Sequence, residues 1–446
     1  MKIETLIQEL KEILRSEDTP ELSDAELIKA CLLQNVSYRL PDSAKTDRLI
    51  GLRTLMRLWK RISQPHTVLT EPKGNAQVLL LNANQKKASS IMSYIAHESG
   101  NLPGHCIGKE ELPIVGQDLG TSDKIRLLLF GIECALKCFW KSDRQNRSLF
   151  PLAVFESQQL LQFVEGQKIK HIYDFGPYLI DANWSTHLCM EQGVKVTRIP
   201  SSGPLKTHNQ FALGNEMVLS TPYQFEEVEL FKSTIRVNDF PKWIPEHALN
   251  YLDFYLAGPP EPEQGTIGYY SHAGWVRQSE GHTDDALRIP EAEIQLLKDL
   301  RSLLERTPEL SLTIFLHPRE KKTELQEAME SHYSTYLQGV QYAFADPKVP
   351  SALAFHTVDV GVAAFSTILY ERLFCGYKTC IGNYFMNDFP MKGSSLERVC
   401  FSSEERMQSQ LNKFVSISRA EFFQTNQIEG FRMDDFPSVQ KSLASK

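Results

Sequence analysis

From residue 266 to residue 382 one pattern recurs: a short apolar run, a break of small or polar residues, then a stretch with apolar side chains at helical spacing. The runs are TIGYYS, LSLTIFLHP, VQYAF, VDVGVAAF and KTCIGN, with EAEIQLLKDLRSLLERTP, KKTELQEAMESHYSTYL, a short helix near 350 and STILYERLFCG among them. Strands apolar at every position are buried on both faces, as in a parallel sheet, and parallel neighbours need a crossover between them. The pattern therefore predicts a doubly wound, Rossmann-like unit of five parallel strands.

At 446 residues the chain is too long for one ordinary domain, and the alternation also occurs upstream. AQVLLLNANQ, KIKHIY, VKVTRIP and NEMVLS read as strands, as does the apolar PLAVFESQQLLQFVEG, while KIRLLLFGIECALKCFWKS reads as a helix. AGPPEPEQG, at 257–265, cannot continue a helix or a central strand and is expected to be a hinge. The expected fold is α/β, two Rossmann-like lobes facing a cleft, with an N-terminal helical extension. Its divisions are 1–65 for the extension, 66–256 for the first lobe, 257–265 for the hinge, 266–420 for the second lobe, and 421–446 for a tail or helix returning to the first.

Within the extension, DRLIGLRTLMRLWKRI combines Leu49, Leu52, Met56 and Trp59 with Arg48, Arg53, Arg57, Lys60 and Arg61. Packing of the apolar face into the core is the expected arrangement. A contact with an anionic membrane through 48–62 is the alternative. The net charge of −7 disfavours bulk attraction to nucleic acid. Eight cysteines without metal-ligand spacing are expected to be reduced and mostly buried. Neither a signal-peptide core nor a membrane-spanning apolar run is evident, so the expected location is the cytoplasm, including the inner face of the membrane.

Candidate chemistry sits where strands meet helices. In LTIFLHPRE, His317 ends a strand and Pro318 fixes the turn, placing an imidazole at the carboxyl edge of the sheet, where it can contact or protonate a phosphate. In FSTILYE, Ser366 and Thr367 stand at a helix N-terminus, an anion site, and Glu371 follows one turn later where it can accept from ribose hydroxyls. IGYYSHAGWVR supplies Ser271, His272, Gly274 and Arg277 on the loop after the first strand of the lobe. Each also has a plain structural reading as a cap or turn. In the first lobe, Asp174 and Asp181 of YDFGPYLID and His208 of PSSGPLKTHN are candidate bases for an acceptor hydroxyl. No metal and no cofactor are called for.

Two such lobes with His317-Pro318 and Ser366-Thr367 in the second resemble GT-B glycosyltransferases, and within them the bacterial sialyltransferases and capsule Kdo transferases. The resemblance covers about 120 residues. It implies that His317 contacts the nucleotide phosphate, that Ser366 and Thr367 hold its oxygens, and that the donor is a CMP-sugar, sialic-acid-like or Kdo-like. The expected activity is inverting, metal-independent transfer to a polysaccharide, lipopolysaccharide or glycolipid acceptor. The acidic motif that supplies the base in several sialyltransferases has no equivalent; Asp284-Asp285-Ala286 lacks the glycine and lies in the other lobe. Rival expectations are a UDP- or GDP-sugar transferase, a sugar epimerase, a polyol-phosphate transferase, and an inactive nucleotide- or glycan-binding scaffold.

Overall fold

The computed structural model describes residues 2–15, 25–30, 32, 50–64, 75–82, 103–107, 119–140, 148–176, 182–200, 212–219, 224, 228, 235–243, 245, 247–281, 288–364, 366–385 and 395–428. The chain divides into two compact units, Met1–Ser220 with Glu227–Ile244, and Thr221–Glu226 with Pro245–Lys446. Each is built on a six-stranded parallel sheet flanked by helices, the α/β class expected. The division falls near 244, so segment 257–265 belongs wholly to the second unit.

The first unit begins with helix α1 (Ile3–Ile13), whose Ile3, Leu6, Leu10 and Ile13 are buried, as its four-residue periodicity requires. It is joined to the core by Lys11 Nζ donating to Glu133 (3.0 Å) and by Trp184 Nε1 donating to Glu9 (3.0 Å). The helical extension is thus part of this unit. Helices α2 (Ile50–Ile62), α3 (Thr121–Trp140) and α4 (Phe150–Gly166) complete the layer on α1. PLAVFESQQLLQFVEG, read above as a strand, is α4. Pro151 stands in its first turn and thirteen of its residues are buried, so an apolar run of this kind marks a helix enclosed on nearly all sides.

The first sheet has the order β2-β1-β3-β4-β5-β6, from β1 (Asn75–Leu81), β2 (Pro103–Ile107), β3 (His171–Asp174), β4 (Lys195–Arg198), β5 (Ala212–Leu219) and β6 (Ile235–Trp243), with α5 (Ala182–Glu191) between β3 and β4. Chain direction across the sheet reverses between β1 and β3, the switch point.

The second unit opens with a short 3-10 turn (Ala248–Tyr251) and α6 (Leu252–Leu256). Its sheet follows the order β12-β11-β10-β7-β8-β9: β7 (Thr266–Tyr270), β8 (Ser311–Phe315), β9 (Tyr342–Phe344), β10 (Val360–Ala364), β11 (Lys378–Gly382) and β12 (Cys400–Phe401). The sixth strand, β12, escaped the sequence pattern because it is two residues long. Crossovers are α7 (Gly274–Ser279), α8 (Ile289–Arg306), α9 (Gln326–Tyr336) and α10 (Thr367–Phe374). β10 and β11 are buried at every position, as parallel central strands must be. The chain closes with α11 (Glu404–Ser416) and α12 (Arg419–Asn426), and α12 packs on β11 of its own unit. Residues 429–446, most of the segment expected to return to the first lobe, lie outside the described residues.

Arg372 in α10 fixes the second sheet from beneath. It is fully buried, and all five of its N–H groups are used. Nε donates to the Lys378 carbonyl, Nη1 to Tyr270 Oη and the Phe355 carbonyl, and Nη2 to the carbonyls of Val358 and Asp359. Gly361 makes room for it: a Cβ there would lie 2.5 Å from Arg372 Cδ. The planar fork of arginine suits several carbonyls at once in a way lysine cannot match.

Candidate functional site

In the second unit the sheet order reverses between β7 and β10, and the carboxyl ends of those strands with neighbouring β8 carry the expected residues. A crevice of this kind is where open α/β sheets bind ligands. Ser366 follows β10, Ser271 and His272 follow β7, and His317 follows β8, so three adjacent strands contribute.

Ser366 is the N-cap of α10 with extended backbone, but its hydroxyl makes no cap bond. The first amides of a helix have no intrahelical acceptor, and here Ser366 leaves those of Thr367 and Ile368 unassisted by its side chain. Its carbonyl accepts from the Leu369 amide in the usual tightened first turn. Hydroxyl and amides together form a donor cluster at the switch point.

Opposite lie two imidazoles with ring centroids 6.1 Å apart, His272 and His317. Arg319 N donates to His317 Nδ1 (3.2 Å). That bond fixes the neutral tautomer with its proton on Nε2, which makes His317 a donor. Burial, then the Arg277 and Arg319 guanidiniums, push the His317 pKa down to about 4. Burial and Arg277 act on His272 as well, down to about 3. Both are therefore neutral near pH 7. The sequence allowed His317 to protonate a leaving phosphate; in its neutral form the Nε2–H is available to donate a hydrogen bond to one. Arg277 Nε donates to the His272 carbonyl (3.2 Å), which keeps the guanidinium beside both rings.

Two buried carboxylates hold the loops. Glu293, from α8, accepts from the amides of His272 (2.5 Å) and Gly274 (2.6 Å) and from Tyr269 Oη (2.9 Å). Burial pushes its pKa up to about 7. Glu320 accepts from the His317 amide (2.8 Å), Trp275 Nε1 (2.6 Å) and Tyr333 Oη (3.0 Å), and burial raises its pKa too. In the HPRE turn the Glu320 amide returns a bond to the His317 carbonyl (2.9 Å), so each residue caps the other. Neither role was assigned from sequence. Glu293 carried a signal, being an acid on the same helical stripe as Leu296, Leu297 and Leu300.

These contacts revise several expectations. The amides of His272 and Gly274 are taken by Glu293, which leaves the side chains of that loop, not these amides, to meet a ligand. At Gly274 packing requires the missing side chain: a Cβ would lie 2.6 Å from Glu293 Oε2 and 2.8 Å from Pro290 Cα. Ser271 Oγ accepts from the Ala273 amide (3.0 Å) and is buried against the two carboxylates. Pro318 is exposed and shapes the turn. Glu371, expected at a ribose, is buried and accepts from the amides of His247 (3.0 Å) and Ala248 (2.7 Å), at the start of the 3-10 turn. Thr367 is half-buried beside Ser366.

Asp174, a candidate base, ends β3 at the first unit's switch point. It is buried, bonded by Arg198 Nη1, Asn82 Nδ2 (2.8 Å) and the Gly176 amide (2.9 Å). Arg198 in turn donates to Thr186 Oγ1 (2.9 Å) and Asn183 Oδ1 (2.8 Å). Since Asn82 directly follows β1 and Asp174 ends β3, their bond ties the two strand ends together at this switch point. A carboxylate so committed anchors the fold and does not serve as a base. Asp181, His208 and Asp284 lie outside the described residues, as does Phe365 between β10 and Ser366. Among the described residues no cluster suited to a metal ion occurs, and Cys106, Cys134, Cys189, Cys375, Cys380 and Cys400 are reduced thiols.

No protein-family model and no curated protein matches the sequence. Among solved structures, the chain is similar to the UDP-GlcNAc 2-epimerase from Neisseria meningitidis bound to UDP-GlcNAc, at 12% identity over 82% of this chain and 98% of that one, with a TM-score of 0.46. It is also similar to an O-GlcNAc transferase mutant from Thermobaculum terrenum (11%, 99% and 79%, 0.40) and to MurG from Acinetobacter baumannii (11%, 82% and 98%, 0.38).

Proposed function

We propose that the second unit binds the phosphate of a nucleotide-sugar and that the chain is a glycosyltransferase of inverting, metal-independent type. The carrying observation is the switch point between β7 and β10, where Ser366, its hydroxyl free of any cap bond, and the α10 amides follow β10 while the neutral His272–His317 pair with Arg277 follows β7 and β8. Donors fixed in advance stabilise charge as it develops on a departing nucleotide phosphate. His317 Nε2–H, Ser366 Oγ–H and the Arg277 guanidinium play that part. The acceptor's proton goes to a first-unit base, for which Asp181 and His208 are the candidates once Asp174 is set aside. The favoured donor is a CMP-sugar of sialic-acid or Kdo type, and the acceptor a glycan or lipid-linked glycan.

Thermal unfolding with CMP, CDP, UDP, GDP and ADP tests the reading. A ligand at a hundred times its Kd stabilises by about 2.7 kcal/mol. CMP is expected to raise the midpoint, and His317→Ala to weaken that binding roughly tenfold or more. A response to UDP alone assigns the donor to the UDP-sugars. No response to any nucleotide, or unchanged binding in the variant, refutes the site.

A further inference from the structure

Helices α2 (Ile50–Ile62) and α3 (Thr121–Trp140) leave a broad apolar face uncovered. The pair is antiparallel and close. A Cβ on Gly51 would lie 2.7 Å from Ala135 Cα, and one on Gly131 would lie 2.7 Å from Leu55 Cδ1, so contacts ascend one helix as they descend the other. On α2, Thr54, Leu58 and Ile62 face the core. Leu52, Met56 and Trp59, a further third of a turn around, do not. On α3, Leu127, Phe130 and Cys134 face inward, while Ile125, Leu129, Ile132 and Leu136 face out. All seven outward residues are 43–65% exposed. Because the helices are antiparallel and share one core side, both rows emerge on the same side. The α3 row alone runs about 16 Å at 1.5 Å per residue.

Charge tells what this face meets. The α2 segment IGLRTLMRLWKRI contains four cations and no acid. Arg61 turns inward toward Glu156 (3.9 Å), whereas Arg53, Arg57 and Lys60 are exposed along the flank of the apolar row. On α3 the flanking Glu133 is paired with Lys11 and Lys137. This positive rim stands on a chain whose net charge is −7. A second copy docked on the same patch by a twofold axis would bring these cations toward their equivalents. An anionic bilayer offers the complement: acyl chains for the apolar rows and phosphates for the rim. No described helix is long and apolar enough to cross a membrane, which fits helices lying in its surface.

We infer that α2 and α3 together form a membrane-docking platform for an anionic phospholipid surface. The inference is independent of what the second unit binds. The test is flotation of the full chain with vesicles of phosphatidylcholine alone or of an equimolar mixture with phosphatidylglycerol. The chain should float with the mixed vesicles and far less with the neutral ones. Arg57→Gln with Lys60→Gln should weaken binding to the mixed vesicles roughly fivefold per cation removed. Met56→Glu with Leu129→Glu should abolish flotation; these positions are exposed, so the unfolding midpoint should be retained. Absence of flotation, equal binding to both vesicle types, or a wild-type dimer that Met56→Glu with Leu129→Glu dissociates without loss of flotation would each overturn the inference.

Discussion

Replacing Asp174 by alanine separates an anchor from a catalytic base. The wild-type carboxylate is 3% exposed and neutralises Arg198, which is 0% exposed and has no route to water. Removing one partner of a buried ion pair leaves the other charge uncompensated, at a cost of about 3–5 kcal/mol. Arg198 keeps bonds to Thr186 and Asn183, while Asn82 Nδ2 and the Gly176 amide lose their acceptor, which places the expected cost in the upper part of that range. In a unit of about 240 residues each kcal/mol shifts the midpoint by about 2–4 °C, so a fall of roughly 8–20 °C is expected. Scanning calorimetry of the full chain reads this in the transition of the first unit. Arg198→Leu added to Asp174→Ala should restore much of the loss, because no unpaired charge then remains. A single variant that unfolds within about 2 °C of wild type would refute the argument and return Asp174 to the list of bases.

Ser366→Ala should cost less than about 0.5 kcal/mol of stability, because the hydroxyl makes no cap bond, yet weaken nucleotide binding about tenfold; a large fall in midpoint with unchanged binding would contradict this. Arg372→Lys should destabilise the second unit by about 3–5 kcal/mol, since one ammonium cannot serve five acceptors, and near-normal urea unfolding would count against it. His272 titrates at about 3 in the fold against 6.5 unperturbed, so the unfolded chain takes up its proton first as pH falls. Its contribution to stability is present above pH 6.5 and declines progressively below it. Compared with His272→Asn, wild type should lose stability more steeply from pH 6.5 toward 4; parallel curves would refute the assignment.

The second sheet was legible because its longer strands are mostly apolar and most are followed by a helix with its own periodicity. FESQQLLQFV misled because burial on nearly all sides erases the period that distinguishes helix from strand. The edge residues His317 and Ser366 were found because a strand-to-helix junction is visible in one dimension. Their partners were not. Whether Asp174 faces solvent or Arg198, or Glu371 a ribose or the His247 amide, depends on residues 24 and 124 positions away. Leu52, Met56 and Trp59 looked like a core stripe because apolar spacing reports that a face exists and not which face the core takes. Gly51 settles that by admitting α3 alongside.

Arg372 has a consequence for how such a protein can diverge. The helix that presents Ser366 and its first amides is tied by one side chain to the carbonyls of Phe355, Val358, Asp359 and Lys378, on the chain entering β10 and β11. The backbone of the proposed anion site is therefore set from below, by a side chain buried beneath it. Side chains above it can be exchanged without shifting the amides. On the reading proposed for the second unit, descendants of this chain can change which nucleotide they accept while inheriting the phosphate seat intact, and loss of the arginine would erase every such specificity at once.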